Sequence, residues 1–225
     1  MPSESVENYL KAIYRLEQGV GEGRVKNKDI AQELALALPS VTSMLKALAS
    51  QSLIDYVPYQ GVLLTIEGQR AALRVIRRHR LLELFLIETL QMGWSEVHEE
   101  AERLEHALSD SLTDRIDAFL GHPTMDPHGD PIPTRDGVMP EVRGALLVEL
   151  PEGGHGLLLR VLTQDTPFLQ YLATKGLVIG AALKVQEVAP FRGPITVRVE
   201  GREGLVSLSV EAAGLLLVGA ATNPP

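Results

Sequence analysis

The sequence predicts an α+β chain with helices in its first half and strands in its last third. Two patterns predict it: apolar residues recur at three and four as far as residue 120, whereas beyond residue 144 the apolar runs are short and divided by Gly and Pro. A third is a pair of β-type runs that interrupts the helical pattern near residue 60.

From Ser5 to Leu16, the residues Val6, Tyr9, Leu10, Ile13 and Leu16 mark an amphipathic helix with Ser3 or Ser5 as N-cap, ended by Gly19, Gly21 and Gly23. A short helix follows from about Asn27 to Leu36, with Ile30, Ala31 and Leu34 inward. Pro39, suited to a first helical position, opens a third helix to about Gln51 whose buried stripe is Val41, Leu45 and Leu48. Two short helices joined by a tight turn behind a longer one make a helix-turn-helix. The runs Leu53 to Pro58 and Val62 to Thr65 flank Tyr59, Gln60 and Gly61, so a hairpin follows and the unit is winged. Thr65 caps a long helix through about Leu90, Ser95 caps another through about Leu108, and a third spans roughly Asp110 to Leu120.

Gly121 to Pro140 is rich in Pro, Gly and Asp and reads as a linker. Strands are expected at Ala145–Leu150, Gly156–Leu162, Ala182–Val188, Ile195–Val199, Leu205–Val210 and Leu215–Val218, with one helix near Thr166 to Lys175, and together they suggest a small β-barrel. The expected division is a winged helix-turn-helix at 1–74, a helical segment at 75–122, the linker at 123–143 and the β-domain at 144–225.

Composition narrows the chemistry. With no cysteine, a metal ion has only imidazole, carboxylate, amide or water to bind, which favours harder ions. No run approaches the roughly 18 apolar residues of a membrane span, so a cytoplasmic protein is expected. The net charge of -8 argues against nucleic acid until its distribution is read. Residues 1–74 hold eight Lys/Arg and eight Asp/Glu, residues 75–140 six and thirteen, and residues 141–225 seven and eight. The first segment is free to present a basic face, while the acidic middle repels itself unless it binds cations.

In a helix-turn-helix the start of the second helix meets base edges in the major groove, so its outward residues should be small or polar. Pro39, Ser40, Thr42, Ser43 and Lys46 fit: hydroxyls for bases or phosphates, Pro39 for a thymine methyl, Lys46 for a phosphate. Lys26, Asn27 and Lys28 would add backbone contacts, and Tyr59 and Gln60 would sit at the wing tip.

On the long helix, His79 and Glu83 are four apart and share a face. On the next, His98, Glu102, Glu105 and His106 fall within an arc of roughly 100°. If the two helices pack side by side these residues form two adjacent sites. One comprises His79, Glu83 and His98, and the other Glu102, Glu105 and His106 with help from the first helix, where Asn8 can supply an amide oxygen. Such ligands suit Mn²⁺, Fe²⁺, Co²⁺ or Zn²⁺. Without metal the clustered carboxylates are expected to repel one another and splay the two reading heads.

The chain resembles the diphtheria-toxin-repressor family of metal-dependent transcriptional regulators over nearly its whole length. The resemblance rests on Tyr9-Leu10-Lys11-Ala12-Ile13-Tyr14, Arg78-His79-Arg80-Leu81-Leu82-Glu83, the run Val97 to His106, and His128-Gly129-Asp130-Pro131-Ile132-Pro133. It implies a helical metal-binding and dimerisation domain, an SH3-like C-terminal β-barrel, and a homodimer that binds double-stranded palindromic operator DNA when metal-loaded and represses metal-uptake genes. Neither a membrane nor a small-molecule substrate is implied as a partner. Iron-responsive members carry Cys where this chain has Glu102 and Met where it has Asn8, and manganese-responsive members carry acidic ligands there. Glu102 therefore points to Mn²⁺ as cofactor, with Fe²⁺ second, and Asn8 matches neither pattern. Where three-domain members donate a carboxylate and an amide from the β-domain, this chain offers only Gln164 and Asp165 in the stretch Arg160 to Asp165, and those ligands are not carried over. The rival reading is a metallohydrolase using the same His and Glu cluster, although the chain lacks a His-Glu-x-x-His helix.

Overall fold

The structure is a computed structural model and describes residues 3–21, 23–94 and 96–219. Helix α1 (Glu4–Val20) is capped by Ser3, whose hydroxyl accepts from the Val6 amide, and it buries Val6, Tyr9, Leu10, Ile13 and Tyr14. The α2 (Asn27–Glu33) and α3 (Leu38–Ser50) helices follow, joined by a turn in which Ala35 is left-handed. Val41, Leu45 and Leu48 face inward from α3 onto α1 residues and Ile30, leaving the opposite face of α3 to solvent.

Strands β1 (Ile54–Val57) and β2 (Gly61–Leu64) pair antiparallel with Val57 opposite Gly61. Gly61 has φ 118°, and a Cβ there would lie 2.4 Å from the Val25 carbonyl oxygen, so only glycine lets the wing close on the segment before α2. Glu17 holds the other side of the wing by accepting the Leu64 amide at 2.6 Å.

Helix α4 (Ile66–Leu90) is capped by Thr65 and runs unbroken from the wing into the second half of the helical region. Helix α5 (Val97–Leu104) is shorter than its periodicity predicts, and Glu105 and His106 lie in the turn after it. Ser95, its expected cap, lies outside the described residues. Ser109 caps α6 (Asp110–Phe119). Leu81, Leu82, Ala101, Leu108 and Ile116 form the core of this region, and Ile132 completes it from the loop beyond.

That loop carries no helix or strand, yet it does not hang free: residues 128–133 are all buried. Asp126 folds it by accepting the amides of His128 and Asp130, Arg77 and Arg80 hold the Pro133 and Pro131 carbonyls, and the His128 carbonyl accepts the Val161 amide of the β-domain. Composition showed only the turn formers, whereas the hydrogen-bonding backbone they leave is satisfied by α4 and the sheet.

The expected barrel does not close. Strands β3 (Ala145–Leu146), β4 (His155–Val161), β5 (Ala182–Val188), β6 (Ile195–Val199), β7 (Val206–Leu208) and β8 (Leu216–Gly219) form one antiparallel sheet in the order β3-β8-β4-β5-β6-β7. The end strands are two and three residues long, and each runs into a helical turn, at Leu147–Glu149 and at α8 (Val210–Ala213), before it can reach the other. Helix α7 (Thr166–Thr174) covers the core with Leu169 and Leu172. Among the described residues no helix is long and apolar enough to cross a membrane.

Candidate metal centre and nucleic-acid face

Helix α4 projects His79 and Glu83 toward α5, which projects His98. The His79 Nε2, Glu83 Oε1 and His98 Nδ1 atoms form a nearly equilateral triangle with sides of 3.0, 3.0 and 3.1 Å. Adjacent ligands at right angles about 2.1 Å from one octahedral ion are separated by about this distance. This triangle is therefore a donor set that fits a divalent cation. His79 Nδ1 meets Glu105 Oε2 at 2.6 Å, so one imidazole joins the triangle to the second group of residues. Glu102 Oε1 stands farther off, 3.9 Å from His79 Nδ1 and 3.8 Å from His98 Nε2.

In that second group, Glu7 Oε2 lies 2.6 Å from His106 Nδ1 and, as an acceptor, selects the tautomer with its proton there. His106 Nε2 then turns a lone pair toward Asn8 Oδ1 at 2.9 Å and Glu105 Oε1 at 3.4 Å, again the donor set of a cation site. Asn8, Glu105 and His106 thus come together, while Glu102 lies beside Lys11 at 2.8 Å. The carboxylates are not left to repel one another: Lys11 pairs with Glu102 and Glu105, and Arg78 pairs with Glu7. The expected repulsion is thus offset at Glu7, Glu102 and Glu105, because α1 and α4 bring their own cations.

Sequence reasoning passed over a third group. Glu83, Asp126 and His128 are all buried and close enough to share an ion, with Glu83 Oε2 3.7 Å from His128 Nδ1. His128 is stacked on Trp94 at 5.2 Å, and among the described residues neither of its ring nitrogens has a hydrogen-bond partner. The signal was present in the His128-Gly129-Asp130-Pro131 motif, but only the fold brings it against Glu83. Gln164 donates to Asp130 Oδ2 at 3.2 Å and Asp165 caps α7, so neither joins these groups.

Electrostatics follow from this crowding. Burial works against a charged His79, but the hydrogen bonds to Glu105 and Glu83 prevail and raise it to about 9. Burial likewise opposes the Glu83 carboxylate, yet its contacts with His128 and His79 hold it well below the usual range. Burial, then the neighbouring Asp130 and Glu83 charges, push Asp126 up to about 7.

On the N-terminal unit, Pro39, Ser40, Ser43 and Lys46 are exposed along α3, and Tyr59 and Gln60 are exposed at the wing tip. Lys26 Nζ donates to the Gln60 carbonyl at 2.7 Å, tying the start of α2 to that tip, and Lys28 is exposed beside it. Asn27 Nδ2 lies 3.3 Å from both Thr42 Oγ1 and Tyr56 Oη, and Thr42 donates to the Leu38 carbonyl. Asn27 and Thr42 therefore brace the face more than they project from it. A depression of about 420 Å³ runs between α3 and the wing, floored by these residues.

A winged helix with an open polar face, joined to helices that converge imidazoles and carboxylates, defines a DNA-binding regulator responsive to a cation. The model of the iron-dependent repressor N-terminal DNA-binding domain matches residues 1–62, that of the iron-dependent repressor metal-binding and dimerisation domain matches 65–134, and a FeoA domain matches 145–219. The chain is 33% identical over 215 residues to the iron-dependent repressor IdeR of Mycobacterium tuberculosis, covering 90% of this chain and 91% of IdeR. It is 36% identical over 127 residues to the transcriptional regulator MntR of Listeria monocytogenes, covering 55% of this chain and 87% of MntR. A solved manganese-dependent transcriptional repressor in complex with manganese superposes with a TM-score of 0.85 at 38% identity, covering 96% of this chain and 99% of that one. The chain belongs to the iron-dependent repressor family. It is a metal-dependent transcriptional repressor, and the metallohydrolase alternative falls with that assignment.

Proposed function

We propose that this repressor is loaded by Mn²⁺, with Fe²⁺ as the second candidate, and that the loaded homodimer binds a palindromic operator to repress metal-uptake genes. The observation that carries the reading is the triangle of His79 Nε2, Glu83 Oε1 and His98 Nδ1, with the facing lone pairs of His106 and Asn8 beside it. His79, Glu83 and His98 would hold one ion, and Asn8, Glu102, Glu105 and His106 another. All of these donors are nitrogen or oxygen, which suits Mn²⁺ and removes the thiolate preference of softer ions. The manganese complex of the similar repressor supports the same choice.

A divalent cation supplies the positive charge around which these donors can close. The residues do the rest. Asn8 belongs to α1, which also bears Glu17 on the wing, while His79 and Glu83 belong to α4, which leads from the wing to the exposed apolar residues Leu112 and Phe119 of α6. An ion held jointly by Asn8, Glu105 and His106, which already lie together, would lock α1, and with it α3, relative to the face proposed for dimerisation. Two α3 helices set about one DNA turn apart then reach successive major grooves through Pro39, Ser40, Thr42, Ser43 and Lys46. Lys26, Asn27, Lys28, Tyr59 and Gln60 would meet the flanking backbone.

The test is a mobility-shift titration with duplexes from upstream of metal-uptake genes, at fixed salt. Binding is expected with Mn²⁺ and should weaken by about a thousandfold or more in chelator, the order separating specific from non-specific association. Equal binding under both conditions would refute metal control.

A further inference from the structure

Among the buried charges outside the proposed ligand set, Lys11 touches two of the ligands themselves. Lys11 is 4% exposed, and its ammonium lies 2.8 Å from Glu102 Oε1 and 2.5 Å from Glu105 Oε1. The same two oxygens face the imidazoles: Glu102 Oε1 is 3.9 Å from His79 and 3.8 Å from His98, and Glu105 Oε1 is 3.4 Å from His106. The ammonium thus stands at the waist between the two donor groups. It satisfies carboxylates that a second positive charge would also need, and two cations cannot share them in a buried site without repulsion.

We propose that Lys11 is a tethered counter-cation that competes with the metal ion for Glu102 and Glu105, and so sets the metal concentration at which the repressor is loaded. The inference deepens the metal-sensing reading and rests on it. Loading would exchange two short charge-assisted hydrogen bonds for coordination, and the same bonds would hold the carboxylates whenever no ion is bound. A Lys11 that only orients the carboxylates would have the opposite signature, since its removal would loosen the ligands and weaken binding.

The experiment is calorimetric titration of the full-length chain with Mn²⁺, together with thermal melts in chelator and in Mn²⁺. Lys11→Gln removes the charge and keeps a polar end, while Lys11→Arg keeps the charge. Lys11→Gln should bind Mn²⁺ at least about tenfold more tightly, melt lower than wild type in chelator, and gain more from added Mn²⁺. Lys11→Arg should stay close to wild type. Unchanged or weaker Mn²⁺ binding by Lys11→Gln overturns the competition, whereas a wild-type chain that binds no Mn²⁺ overturns the metal reading beneath it. Should Lys11→Gln fail to fold in chelator, Lys11→Met is prepared with Mn²⁺ and ion release is timed after chelator is added. Release slower than wild type supports the proposal, and equal or faster release overturns it.

Discussion

His79 touches both halves of the centre, with Nδ1 on Glu105 and Nε2 on Glu83 and His98. Because those carboxylates raise it to about 9, the metal-free imidazole holds a proton at neutral pH that coordination must displace. Mn²⁺ uptake near pH 7.5 should release about one proton per chain from this residue, and affinity should climb with pH until about 9. Calorimetry in buffers of different ionisation enthalpy reads this directly, and no release would contradict the assignment. Metal-free stability has the reverse dependence. A folded value above the usual 6.5 contributes fully below 6.5 and is lost as pH rises through about 9, so the melting temperature in chelator should fall across that window. The spacing of His79 and Glu83, and of His98 and Glu102, was legible because helical periodicity places each pair on one helix face, whereas Glu105 and His106 lie in the turn after α5, outside that periodicity. Glu7, Lys11 and Arg78 were not legible, because four-residue spacing of Glu7 and Lys11 on α1 is also the pattern of any solvated ion pair.

At the scale of elements, the loop after α6 shows what composition hides. Turn-forming residues predicted a connection, and only the fold reveals that it passes between α4 and the sheet. Gly129 explains the close fit: it has φ 80°, and a Cβ there would stand 1.9 Å from the Leu159 carbonyl oxygen, at the point where the β4 ladder shifts register. Gly129→Ala should therefore cost about 2–3 kcal/mol through left-handed strain and displaced backbone, lowering the melting temperature by several degrees. A variant that melted like wild type would show that the loop tolerates retreat from the sheet. The helices were read more faithfully than the loop, because Ser3 and Thr65 cap α1 and α4 as local sequence dictates. Helix α5 ended early, and its last expected turn serves the site instead of the helix.

At the scale of the whole molecule, three cores are joined by polar contacts around one acidic centre. Outside them, Leu90 at the end of α4 and Leu112 and Phe119 on α6 are 60%, 46% and 68% exposed, apolar side chains that the proposed homodimer would cover. Leu112→Asp combined with Phe119→Asp should shift the chain from dimer to monomer in sedimentation velocity while metal binding persists. An unchanged dimer would place the interface elsewhere. The strand order that leaves the sheet open was illegible in the sequence, since alternation specifies which residues face inward and says nothing of whether two short end strands meet. Trp94, the single tryptophan, donates its indole N–H to the Pro127 carbonyl at 2.9 Å and lies flat against His128 while packing on the β-domain core. The protein therefore carries its own optical reporter: one fluorophore, placed where the helical region, the loop and the sheet meet, whose emission can record any change among the three without a label.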